Sequence, residues 1–309
     1  MTILITGGAG FIGSAVVPEL QRADHDVYIL DNLSFGSRRF IEVADDHFFE
    51  VDLRDQAGVA QVVQQVQPEW IVHLAAVHFI PFCNQHPYEA FDINVKGTLN
   101  LWDAAAACDS VQKVFFASTA AVYPIYDDPI HEEKPLGPLD VYGLSKLTGE
   151  RLTHEFFLKT GIDSVVCRFF NAFGPNETNP HLIPEIQDQV NKGLRTIQLG
   201  NLDPKRDFIH TSDMARAVRM LMETDVKGYD TFNLGRGIEY SVREVVEAFG
   251  RQVGETIQIE QDPKRTRKTD RMHLLADISK LKAATGWAPQ VSLDEGIATL
   301  VGTEAYQVG

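Results

Sequence analysis

The chain has 309 residues, 44% hydrophobic and 9% aromatic, with 28 lysines and arginines against 43 aspartates and glutamates and a formal net charge of −15. This composition fills a core and excludes a disordered chain, and the acidic balance excludes a general attraction to nucleic acid or anionic membranes. No apolar run approaches the roughly 20 residues that span a bilayer, and the first strand begins at residue 2, so a cytoplasmic protein without a leader is expected.

Thr2 to Gly13 reads TILITGGAGFIG. Ile3, Leu4 and Ile5 have the character of a buried strand. The run stops at Gly7-Gly8-Ala9-Gly10, and helical spacing follows through Phe11, Ile12, Ala15, Val16 and Leu20. A glycine turn opening a helix brings backbone N–H groups close to a pyrophosphate, and the positive end of the helix dipole holds it. Glycines at 7, 10 and 13 are also compatible with plain loop chemistry, but a second apolar strand, Val27 to Leu30, ends in Asp31, 18 residues past Gly13. A carboxylate there accepts hydrogen bonds from ribose hydroxyls and repels a 2′-phosphate, which points to NAD over NADP despite Arg38 and Arg39 nearby.

A third strand, His47 to Leu53, ends in Asp52-Leu53, a carboxylate and an apolar side chain suited to the adenine end of a dinucleotide. Gln56 to Val66 reads as an amphipathic helix and Trp70 to Ala76 as a fourth strand, so the pattern is a parallel sheet covered on both faces. His73 lies inside that strand and reads as a core histidine with satisfied hydrogen bonds. The segment Val77 to Pro87 follows a strand's carboxyl end, where open α/β sheets bind ligands; its His78 is either a substrate contact or an ordinary loop histidine. One long helix, Tyr88 to Cys108, is expected next, then a strand, Lys113 to Ala117, running into Ser118 and Thr119 at the cleft.

Tyr142 and Lys146 stand at i and i+4 and share a helix face. An ammonium beside a phenol stabilises the phenolate and should lower its ordinary pKa of about 10. Alone, Y-x-x-x-K describes an amphipathic face with a solvated lysine; behind a dinucleotide turn, ordered strands and a strand-end threonine it reads as an acid–base pair. From about Asn176 the alternation loosens, although Leu182–Gly193, Thr196–Gly200, Ser212–Thr224, Tyr229–Gly235 and Ser241–Val253 still read as helices and strands. Cys83, Cys108 and Cys167 have neither disulfide nor C-x-x-C spacing, and the ten histidines contain no H-E-x-x-H or comparable pair, so metal chemistry is not expected.

Gly7 to Gly13, Asp31-Asn32, His73-Leu74-Ala75-Ala76, Asn94-Val95-x-Gly97-Thr98, Ser118 to Tyr123 and Tyr142-x-x-x-Lys146 resemble the extended short-chain dehydrogenase/reductases acting on nucleotide sugars. Arg168 to Pro175, Arg206 to His210, Asp277 to Lys280 and Gly286-Trp287-x-Pro289 resemble that family's later motifs. The expected fold is α/β, a Rossmann-type doubly wound parallel sheet with a smaller C-terminal lobe. Residues 1–175 would form the NAD-binding core with the Thr/Tyr/Lys set, and 176–309 mainly the substrate-binding lobe, with some segments returning to the core. The resemblance implies cofactor contacts from Gly7, Gly10, Phe11, Ile12, Gly13, Asp31, Asn32, Asp52, Leu53, Leu74, Ala75, Ala76, Asn94 and Ala117. It makes Tyr142 the base, puts Lys146 on the nicotinamide ribose and the tyrosine, Thr119 on the sugar hydroxyl and Phe169 beside the nicotinamide. It further implies substrate contacts from His78, Asn171, Leu182, Arg206, Arg267 and Asp270, with Asn171 and Arg206 on the diphosphate and Asp270 on the nucleoside ribose. Lys264, Arg265, Arg267, Lys268 and Arg271 put five cations in eight residues, either a solvated basic loop or a phosphate site.

Ala120 and Ala121 stand where this family's dehydratases carry an aspartate and a glutamate and its glucuronate decarboxylases a second-position glutamate. Without those acids the simplest chemistry is reversible redox at one carbon: NAD-dependent epimerisation at C4 of a UDP-hexose or UDP-hexuronate through a 4-keto sugar. The alternatives are a nucleotide-sugar reductase, a UDP-glucuronate decarboxylase drawing on Glu132 or Glu133, and a non-catalytic NAD-binding scaffold or sensor. Leu274 falls where the family's pocket wall influences sugar size. The resemblance also suggests a homodimer through helices beginning near Asn94 and Val141.

Overall fold

The computed structural model describes residues 1–263 and 271–303. Strands β1 (Thr2–Thr6), β2 (Asp26–Asp31), β3 (Phe48–Glu50), β4 (Trp70–His73), β5 (Lys113–Thr119) and β6 (Asp163–Phe169) belong to one sheet. Farther along come β7 (Asn171–Phe173), β8 (Thr196–Leu199), β9 (Lys205–His210), β10 (Tyr229–Leu234), β11 (Glu239–Ser241) and β12 (Gln258–Gln261). Of these, β10 pairs with β6, giving a seven-stranded sheet ordered β3-β2-β1-β4-β5-β6-β10 with every pair parallel. Strand order reverses between β1 and β4, and the crevice outside that switch is where such sheets bind ligands.

The helices are α1 (Gly13–Arg22), α2 (Gln56–Val66), α3 (Ile80–Gln85), α4 (Pro87–Phe91), α5 (Gly97–Ala106), α6 (Val141–Thr160), α7 (Leu182–Asn191), α8 (Thr211–Glu223), α9 (Val242–Val253), α10 (Ser279–Thr285) and α11 (Leu293–Ala298). Alternate strand residues feed opposite faces of the sheet. Ile3 and Ile5 join Val16, Val17 and Leu20 of α1 and Met214, Val218 and Leu221 of α8. Leu4 instead joins Val59, Val62 and Val63 of α2, Leu101 and Trp102 of α5 and Phe156 of α6. A separate apolar cluster holds α7, α9 and α11 together around Ile183, Ile186, Val245, Phe249 and Ile297, beside the small sheets β11-β9-β7 and β12-β8. The chain therefore leaves the main sheet after β6 and comes back to it through α8, β10 and α10. No helix among the described residues is long and apolar enough to cross a membrane.

Three expectations change. The segment Val77–Pro87 contains α3, which with α4 makes two short helices, each carrying proline in its first turn, where a missing N–H breaks no helical bond. The single helix expected over Tyr88–Cys108 is interrupted by a π-helical turn, Asp92–Lys96, the kind of local widening that re-aims a side chain. Here it buries Asn94, whose amide spans the Val77 N–H (2.8 Å), the Val77 carbonyl (2.9 Å) and the Ser145 hydroxyl (3.0 Å). Strands β3 and β4 are shorter than expected, because Leu53 and Leu74–Ala76 leave the ladder and line the cleft instead.

Candidate active site

A cavity of about 1030 Å³ opens at the carboxyl ends of β1, β4 and β5. Its floor is the glycine turn. Gly7 has φ +73°, and a Cβ there would lie 2.6 Å from the Ala75 backbone nitrogen; one at Gly13 would collide with the Gly7 and Gly8 carbonyls. Only glycine lets β1, β4 and the start of α1 approach this closely. The Phe11 and Ile12 N–H groups donate to no carbonyl among the described residues, and both residues line the cavity. Unpaired donors at the positive end of a helix suit a pyrophosphate, so the residues present fit a dinucleotide.

Asp31 fixes the next part. It is 8% exposed, and its carboxylate accepts from Ala9 N–H at 3.0 Å and Leu33 N–H at 2.8 Å. Burial raises its pKa while these two N–H groups pull it back down, and the remaining lone pairs are available to a ribose diol. Asn32 donates to Asp52 at 2.8 Å, and Arg54 grips the same carboxylate, holding it well below the usual range. Arg38 is turned away, paired with Asp45 at 2.8 Å and lying over the Phe48 ring, and neither it nor Arg39 lines the cavity. Neither arginine of that loop is in the cavity lining to meet a 2′-phosphate. Asp31→Ser should weaken NAD binding roughly 10- to 100-fold, because a charge-assisted hydrogen bond contributes about 1.5–3 kcal/mol, and should narrow the preference over NADP; titrating NAD-stripped protein with each coenzyme measures both.

Thr119 ends β5, and Asp140 caps α6 by accepting from Gly143 N–H at 2.7 Å, which places Tyr142 and Lys146 in the first turns of that helix. Ser118, one residue earlier in the strand, donates to Glu150 instead. Thr119, Tyr142 and Lys146 all line the cavity, with Ala117 and Phe169 beside them. The acidification expected from the i, i+4 spacing is not what the structure shows. Burial pushes the Tyr142 phenol up from its ordinary value, opposed by a hydrogen bond with the Thr119 hydroxyl, and brings Lys146 down to about 7, opposed by the Glu150 charge. Desolvation is the largest influence on both groups and works against the charged form of each, while the Lys146 ammonium lies 4.2 Å from the Phe116 ring centroid, a contact that favours its charge.

The cavity wall also contains Gly10, Leu53, Leu74, Ala75, Ala76, His78, Asn171, Leu182, Arg206 and Leu274. Asn94 is absent from it and holds the wall from behind. Asn171 Oδ1 is buried with no partner among the described residues, an acceptor waiting for a donor. Arg206 donates to the Lys205 and Arg271 carbonyls at 2.8 and 2.7 Å. Arg267 and Asp270, with Lys264, Arg265 and Lys268, lie outside the described residues; Arg271, the last of the basic run, lines the cavity and donates to the Tyr123 carbonyl at 2.9 Å. Glu132 and Glu133 do not reach the cavity, and Glu132 accepts from Asn233 N–H at 2.7 Å. His73 is a core residue, bonded to Thr6 at 2.6 Å and Thr98 at 2.9 Å. Sequence reasoning missed Glu177 and His181, which join His78 on the wall; 99 positions separate His78 from Glu177, and only the fold brings them together.

Residues 3–235 match the NAD dependent epimerase/dehydratase family. The chain is 35% identical over 307 residues to the UDP-glucose 4-epimerase of Corynebacterium glutamicum, covering 94% of this chain and 91% of that one. It superimposes on the Thermus thermophilus UDP-glucose 4-epimerase solved with NAD with a TM-score of 0.87 at 31% identity, and on the Thermotoga maritima UDP-glucose 4-epimerase solved with UDP-glucose with 0.88 at 28%, each covering 97% of both chains. A glycine turn fitted to a dinucleotide, a threonine, tyrosine and lysine around one cavity and similarity along nearly the whole length agree: this chain belongs to the NAD dependent epimerase/dehydratase family.

Proposed function

We propose that the protein is an NAD-dependent nucleotide-sugar 4-epimerase acting on a UDP-linked hexose or hexuronate. One observation carries this: a single cavity contains both the dinucleotide cradle and Thr119, Tyr142 and Lys146, with Ala120 and Ala121 after the threonine and no contribution from Glu132 or Glu133. Bound NAD supplies a reversible hydride acceptor and a cationic ring. Tyr142 takes the proton of the sugar 4-hydroxyl and later returns one to the keto oxygen, while Thr119 holds that oxygen. Lys146 favours the phenolate when charged, and burial lowers its pKa to about 7. Ala120 and Ala121 put no acid in the two positions that follow Thr119, which favours re-reduction of the keto sugar over elimination of water. Arg206 and Arg271 hold the nucleotide end as hydrogen-bond donors, and Asn171 Oδ1 accepts from a donor of the ligand.

A decarboxylase would need an acid from the Glu132 loop, which faces elsewhere; a mere binding protein would not need Thr119, Tyr142 and Lys146 together. Tyr88 (92% exposed), Leu99 (43%), Leu144 (47%) and Leu158 (61%) lie outward on α4, α5 and α6, which supports a homodimer through those helices. The three cysteines are free and buried, in keeping with a cytoplasmic chain. Incubation with UDP-glucose, UDP-N-acetylglucosamine and UDP-glucuronate, followed by NMR, tests the reading. The expected result is inversion at C4 of one of them without net coenzyme consumption; carbon dioxide release or stoichiometric NADH loss would replace it with one of the alternatives.

A further inference from the structure

Beyond the epimerase reading, the cavity wall carries a second constellation. An imidazole nitrogen of His78, another of His181 and a carboxylate oxygen of Glu177 all lie within 4.8 Å of one another. Metal bonds of about 2.0–2.2 Å to such donors put ligand atoms at most about 4.4 Å apart, so a small inward movement brings all three onto one centre. We propose that His78, Glu177 and His181 form a divalent transition-metal site on the cavity wall, of the zinc or iron(II) class, with at least one position open to the cavity. Two imidazoles and one carboxylate are the donor set that leaves such a position.

The state of Glu177 supports this independently. The residue is 9% exposed and forms no ion pair among the described residues. Its Oε1 accepts from the Thr178 and Asn179 N–H groups, both at 2.9 Å, which leaves Oε2 for another partner. A buried carboxylate without a cation is costly, and a divalent ion beside it removes that cost. The loop is also anchored: Asn176 holds φ +66° and its amide donates to Ser14 at 3.2 Å. Asn179 Nδ2 stands 3.1 Å from His78 Nε2. The same Nδ2 lies 3.5 Å from Glu177 Oε1, so this amide ties the His78 ring to the Glu177 carboxylate and holds two of the three donors together. Because His78 lies on the segment after β4 while Glu177 and His181 lie on a loop following β7, only the assembled cavity can offer the site.

The test uses the NAD-loaded enzyme, treated with EDTA, dialysed and titrated with Zn²⁺, with bound metal counted by mass spectrometry and Co²⁺ absorption reporting the ligand field. Metal binding is read without substrate, so failure here and failure of the epimerase reading are separate results. The wild type and His131→Ala, an exposed histidine elsewhere, are expected to bind one ion per chain at this site, and His181→Ala and Glu177→Gln to bind it at least about 100-fold more weakly, the upper end of what losing even an outer supporting partner costs. No retained ion in the wild type, or undiminished binding in either variant, overturns the proposal. His181 is exposed, so His181→Ala remains informative even if Glu177→Gln disturbs the loop.

Discussion

Tyr142→Phe is expected to lower kcat by about 10²- to 10⁴-fold, the usual range for loss of a positioned proton-transfer group, with little change in bound NAD or in folding. The phenol is the titratable group beside Thr119 that can exchange a proton with a sugar hydroxyl, and it lines the cavity. Burial alone opposes the phenolate, so the reactive form depends on charge brought in with the ligands and on the state of Lys146. The measurement is steady-state turnover of the epimerised nucleotide sugar, with NAD content and the melting curve recorded on the same preparation. Turnover within a factor of about three of wild type would remove the tyrosine from the mechanism.

Glu150→Ala is expected to destabilise the protein by about 3–5 kcal/mol, because it leaves a buried guanidinium without its counter-charge. Arg168, 5% exposed, grips Glu150, 3% exposed, through two bonds of 2.8 and 2.9 Å, and its third nitrogen donates to the Tyr123 hydroxyl at 2.7 Å. Ser118 donates to the same carboxylate at 2.5 Å, and Tyr123 donates onward to Asn233 at 2.9 Å. The network ties β5, β6, β10 and α6 together beneath the catalytic residues. Equilibrium urea unfolding measures the loss. Replacing both partners, Glu150→Leu with Arg168→Leu, should recover part of it, since an apolar pair leaves no bare charge; an unaltered midpoint for Glu150→Ala would show that the pair contributes little.

The local signals in the sequence are strong where one element carries the function. The glycine turn, the strand-end Asp31 and the Tyr142–Lys146 spacing depend on neighbours in sequence, and the cavity lining contains all of them. The alternation of strands and helices up to β6 is equally plain, because each buried strand is a short apolar run. Features that depend on distant partners are hidden. Asn94 sits in a widened turn and its amide bonds Val77 and Ser145, a supporting role that its place in sequence does not announce. The two prolines that open α3 and α4 resemble loop residues in sequence, since their place in a first turn depends on where each helix begins. Spacing predicts a Tyr142 acidified by Lys146, yet spacing says nothing about desolvation, and burial works against both charges. Glu177 and His181 are four residues apart, but nothing in the sequence links them to His78, 99 positions before Glu177.

The return of β10 to the outer edge of the main sheet has a practical meaning for protein engineering. A truncation after residue 175 would leave β6 with an unpaired, largely apolar margin, so the coenzyme-holding half is not a portable module. Anyone wishing to graft a different sugar preference onto this scaffold must splice in several discontinuous pieces and keep α8, β10 and α10 from the host.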